Sequence, residues 1–306
     1  MPESKHANGS VDPPAEAMFP GPWAAFLLCL AAIFATSLFF ALFETEFDFI
    51  AALGLGQAIG LGGVAALAAR RVPPPHVERI GLRPFSNNLV FPLLCLLPVV
   101  VLISEVDNYV RILLPPTPAV LELQEELIEL TRIDSPYAAI QTLIVAMGIS
   151  PVIEGFFFFG VVQQGLVSRM GKTRGVFLAA VLYAIFHFPA AGGAGGGVVP
   201  FASGLTVGCL LALARLGTGS VLAAMGLAGA ISGIHLAASQ WSESFAIPGF
   251  NAPGAHTPLV IVVPCGLAVL YGVRVLVREA ASAPISLPIP KEIAEPDEED
   301  RGGFFS

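Results

Sequence analysis

PVIEGFFFFG, residues 151–160, places a carboxylate, Glu154, inside a long apolar run. A charged side chain at membrane depth costs at least ~2.5–3.5 kcal/mol even on the lenient insertion scales. Such a group faces a protein interior or a water-filled cavity, and it is a functional candidate by default. Two histidines sit in later apolar runs, His187 in YAIFHFP and His235 in SGIHLAAS. One carboxylate and two imidazoles, each in its own hydrophobic segment, predict a site assembled between helices within a bilayer.

The composition agrees. The chain has 306 residues, 55% hydrophobic and 12% charged, where soluble domains carry about 25% charged residues. The net charge of −8 comes largely from the 122–134 segment and the C-terminal tail. No basic patch with interleaved aromatics exists, so no nucleic-acid partner is expected. Cys29, Cys95, Cys209 and Cys265 all lie in apolar runs and read as small buried hydrophobes rather than a disulfide framework. Residues 1–21 lack the order of a cleaved signal peptide, positive then apolar then small. They read as a polar lead.

About 20 apolar residues span a bilayer as a helix. Eight stretches qualify, at roughly 22–43, 49–70, 88–105, 137–167, 174–188, 199–214, 219–239 and 257–277. The expected fold is therefore all-α, a polytopic transmembrane bundle of about eight spans. Gly54, Gly56, Gly60, Gly62 and Gly63 give the second span a thin face for close packing. The acidic LELQEELIEL piece, 121–130, has helical spacing and belongs at the surface. The organisation reads as a lead (1–21), N-terminal spans with the acidic segment (22–134), a core (135–278) and a disordered Pro-, Ala- and acid-rich tail (279–306). Glu105 and Asp107 are expected at a solvated span end, and His76 and His256 in loops without a nameable partner.

Eight spans put Arg70, Arg71, Arg79, Arg83, Arg169, Lys172, Arg174, Arg215, Arg274 and Arg278 on one side, with Arg111 and Arg132 as exceptions. The positive-inside rule makes that side, and both termini, cytoplasmic. Glu154 lies fifteen residues before Arg169, His187 thirteen after Arg174, and His235 fifteen after Ser220. At ~1.5 Å per residue all three fall roughly 20–22 Å in and can share a layer.

A Glu with two His suits metal-assisted hydrolysis, in which neutral imidazoles bind Zn²⁺ and a carboxylate takes the proton of metal-bound water. The same three groups can instead all be ligands, leaving no separate base. There is no HExxH, which excludes a one-helix zinc site. The plain alternative for each group is structural: a buried imidazole bonded to a neighbouring helix, or a carboxylate paired with a buried polar group.

The motifs EGFFFFG (154–160), Tyr183–His187 as a variant of FxxxH, and RLGTGSVLAAM (215–225) together resemble the CPBP family of intramembrane metalloproteases. That family includes the type II CAAX prenyl endopeptidases and bacteriocin-processing proteins. The resemblance covers about 135–240. Its first motif, EExxFRG, is kept at Glu154, Phe158 and Gly160 but carries Gly155 for the second Glu and Phe159 for the Arg. The third-motif His falls on Ala228, and His235 stands seven residues later in HLAAS, which imitates HxxxN. The resemblance implies that Glu154 is the base activating water. His187, and by analogy His235, would bind a divalent metal, Zn²⁺ being expected, or orient the intermediate.

The expectation is thus an integral membrane protein of a bacterial inner membrane that cuts a peptide bond of a membrane-associated peptide or protein. The alternatives are a catalytically dead relative that binds membrane peptides or acts as a scaffold, and a small-molecule or proton carrier using Glu154.

Overall fold

Helix follows helix from Pro22 to Ser282, and no β-strand forms among the described residues. The computed structural model describes residues 18–113, 115–188, 193–240, 244–252 and 256–282. The expected lead lies outside them up to residue 17, and the expected tail from residue 283.

Among the described residues seven helices are long and apolar enough to cross a membrane. They are α1 (Pro22–Phe43), α2 (Phe49–Ala69), α3 (Asn87–Leu113), α5 (Pro136–Met170), α7 (Gly193–Thr218), α8 (Val221–Gln240) and α9 (Leu259–Ser282). The fifth expected span, 174–188, corresponds to α6 (Lys172–Phe186), which has 15 residues. That is about 22 Å, short of a ~30 Å hydrocarbon core. It is nevertheless an inner helix, burying Ala179, Ala180, Leu182 and Ala184. α4 (Pro118–Leu130) is the acidic surface helix, and none of its described side chains is buried.

Local chemistry sets the ends. Asp48 caps α2 by accepting from the Ala51 amide at 2.9 Å. Ser135 caps α5 at Ala138, with Pro136 in the first turn. α3 runs past its expected end at 105, so Glu105 and Asp107 are helical rather than at a frayed terminus. Its helix tightens between Leu94 and Val101 into three-residue hydrogen bonds, because Pro98 has no amide proton for the Leu94 carbonyl. α7 begins within a Gly-rich stretch, at Gly193.

α1 and α2 cross at the glycine face read from the sequence: a Cβ at Gly60 would sit 2.6 Å from the Ala35 carbonyl carbon. α5 is the central helix, and α8 runs antiparallel to it. Gly155 faces Met225, Gly229 faces Met147 and Pro151, and Gly233 faces Met147. The basic residues gather at one end through backbone carbonyls. Arg169 donates to Met18 O, Lys172 to Ala280 O, Arg83 to Gly219 O and Arg215 to Arg79 O. At the other end Gln141 of α5 donates to both Asp48 oxygens, at 2.8 and 2.9 Å.

Candidate active site

Glu154 sits where α5 is least regular. Pro151 cannot donate to the Met147 carbonyl, and the helix widens ahead of it: residues 144–149 are π-helical and Ser150 N–H reaches back five residues to Val145 O. A second wide stretch, 155–162, follows directly, closed by Gln163 N–H on Phe158 O. Such turns often mark functional sites. Here the second of them packs core directly beyond the carboxylate, since Gly155 and every residue from Phe157 to Val162 is buried. Phe157, Phe158 and Phe159 are core packing. Glu154 itself is 6% exposed.

His187 ends α6 and meets this carboxylate, with Nε2 3.3 Å from Glu154 Oε2. Its Nδ1 lies 2.9 Å from the Tyr183 carbonyl oxygen. A carbonyl only accepts, so Nδ1 carries the proton and Nε2 is left to face the carboxylate. The ring is boxed by Tyr183 and Phe186, at centroid distances of 4.2 and 5.4 Å.

The other Glu154 oxygen is met by a residue the sequence reading passed over. Gln57 of α2 donates from Nε2 to Oε1 at 3.4 Å, and its own Oε1 accepts from Ser150 Oγ. The signal was available, because Gln57 is the single polar side chain between Phe49 and Ala69. A cavity of about 220 Å³ opens beside the pair, lined by Ile33, Thr36, Ser37, Leu53, Gln57, Phe186 and His187. That is room for several waters. The Thr36 hydroxyl in its wall is buried and has no hydrogen-bond partner.

His235 lies elsewhere. The α5–α8 register pairs Met225 with Gly155 and Gly233 with Met147, so His235 stands roughly 13 Å along the axis from Glu154. It lines a different cavity, of about 530 Å³, with Ser104, Asp107, Ser203 and Asn251. Ala228, the position the resemblance assigns to a histidine, is the buried α8 residue nearer the Glu154 level.

A second polar cluster was not legible. Glu105, expected at a solvated end, is buried and accepts from Thr257 N–H at 2.8 Å and Asn108 Nδ2 at 3.1 Å. His256, expected without a partner, places Nδ1 2.7 Å from its Oε1. Asn108 and Ser104 also hold the Gly249 carbonyl, so the group ties the segment before α9 onto α3. The spacing of 151 residues between Glu105 and His256 hides the contact in sequence. Gln163 donates to Ala212 O and Gln164 to Phe19 O.

Among the described residues no three or more His, Cys, Asp and Glu side chains come together as a metal-binding group. A catalytic zinc takes three protein ligands and an open position. The Glu154–His187 pair supplies two, and the donor set in place does not fit that ion.

Fold and site together define a polytopic helical membrane protein in which a buried carboxylate meets an accessible imidazole that lines a small cavity. Residues 136–234 match the family model of the type II CAAX prenyl endopeptidases, Rce1-like, a protease family. The match agrees with the CPBP resemblance and holds Glu154 and His187, while Gln57 and His235 lie outside it. No curated protein and no solved structure matches the chain.

Proposed function

We propose that the chain is an intramembrane endopeptidase of the CAAX-protease-like type, hydrolysing a peptide bond of a membrane-associated peptide or protein. The observation that carries this reading is the contact of buried Glu154 with His187 at 3.3 Å, beside a cavity with room for several waters and inside the protease-family segment. Glu154 takes a proton from water, and the water oxygen bonds to the carbonyl carbon of the substrate. The carbonyl π electrons move to its oxygen, and Nε2–H of the His187 imidazolium stabilises that charge. The carbonyl re-forms, the C–N bond breaks, and the leaving nitrogen takes the proton held by Glu154. One water is consumed per bond cut. No step uses a metal, since the two donors in place do not make a zinc site.

The basic end, with Arg79, Arg83, Arg169, Lys172 and Arg215, faces the cytoplasm of a bacterial inner membrane on this reading. Glu154→Gln keeps the shape and removes the base. In proteoliposomes, cleavage of membrane-anchored peptides, followed by mass spectrometry, should fall at least ~100-fold. Retained cleavage excludes Glu154 as the base.

One observation favours the non-catalytic alternative. A Cβ at Gly155 would lie 2.6 Å from Met225 Cγ, so packing now occupies the place of the family's second carboxylate. Absence of cleavage by wild type across such a peptide set, with peptide binding retained, would establish that reading.

A further inference from the structure

We infer that Gln57 is a positioning residue, supplied by α2 from outside the family-matched segment, that sets the orientation of the Glu154 carboxylate through the chain Ser150–Gln57–Glu154. This rests on the proposed peptidase reading for its consequence, but not for its geometry. A buried carboxylate with one strong partner can rotate about its last torsion. Glu154 has a different partner on each oxygen, His187 on Oε2 and Gln57 on Oε1. That leaves one rotamer in which both contacts persist.

The amide that does this is itself oriented. Ionised Glu154 only accepts, so Gln57 must present NH₂ to it. Ser150 Oγ–H donates to the Gln57 carbonyl oxygen. Flipping the amide would set its oxygen against the carboxylate, so that contact would turn unfavourable, while in the present orientation the serine hydroxyl donates to the amide oxygen. Gln57 is 9% exposed, and the close crossing of α1 and α2 at Gly60 holds its helix in place. Both halves of the chain therefore build the site, with α5 and α6 supplying the acid–imidazole pair and α2 supplying its alignment. Gln57 also lines the cavity beside His187, where the reacting water would stand.

The test uses the full chain in lipid nanodiscs, with Gln57→Leu, Ser150→Ala and Ser150→Thr. The readout that does not depend on activity is the infrared carboxyl band of Glu154, assigned as the band lost in Glu154→Gln. Gln57→Leu should shift it, Ser150→Ala should shift it the same way by less, and Ser150→Thr should leave it in place. In the cleavage assay Gln57→Leu should lower kcat by about 10–100-fold, the usual worth of an orienting partner, with KM within about twofold. A band and a kcat unchanged in Gln57→Leu overturn the inference. If Gln57→Leu does not fold, an unchanged band in Ser150→Ala overturns it equally. If wild type cleaves nothing, the peptidase reading falls, while the band shift still decides whether Gln57 aligns Glu154.

Discussion

His187 and His235 are the same residue type in similar apolar runs, and the protein treats them differently. His187 has both ring nitrogens committed, one to the Tyr183 carbonyl and one to Glu154. His235 lines a separate, larger cavity, and the α5–α8 register carries it roughly two turns past the carboxylate. His187→Ala should therefore lower cleavage by ~100-fold or more, and His235→Ala should leave it within about twofold. Equal losses in both variants, measured in the same proteoliposome assay, would bring His235 back into the site. Metal removal speaks to the same residues. Dialysis against a chelator should leave cleavage unchanged if the pair acts alone, whereas loss restored by Zn²⁺ would return the metal reading with its two histidines.

At the scale of elements, helix irregularity and helix proximity do the placing. Pro151 denies Met147 a donor, the π turns follow, and Glu154 lies between them with α2, α6 and α8 around it. The Asp48 contact fixes the far ends of two of these elements, since it caps α2 and accepts from Gln141 of α5. The amide of Ala51 first, then the Gln141 side chain, hold the Asp48 carboxyl below its usual value. A carboxyl with a depressed folded-state pKa contributes stability above its unfolded value near 3.8, and that contribution fades as pH falls through the folded value. Asp48→Ala should thus lower thermal stability in detergent by about 1 kcal/mol at pH 7, the ordinary worth of an N-cap. The difference from wild type should shrink below pH 4. A pH-independent difference would mean the loss is packing, not charge.

For the whole molecule, Met18 and Ala280 lie at the same end, each held by a basic side chain from the 169–172 turn. Single cysteines at Lys172 and at Glu125 should accordingly label from opposite sides, Lys172 only after the cytoplasmic face is opened. Labelling of both from outside intact cells would refute the orientation. The sequence by itself determined the class of fold, because apolar length and the exclusion of charge from a bilayer are additive along the chain. It also determined Glu154 and His187 as candidates, because a lone ionisable group in an apolar run is costly enough to stand out one residue at a time. Pairings could not be read that way. Gln57 to Glu154 spans 97 residues and Glu105 to His256 spans 151, and both depend on which helix faces meet. Only the tertiary structure decided those contacts, and with them the separation of His235 from the site, because helix register is set by side-chain packing such as Met225 against Gly155.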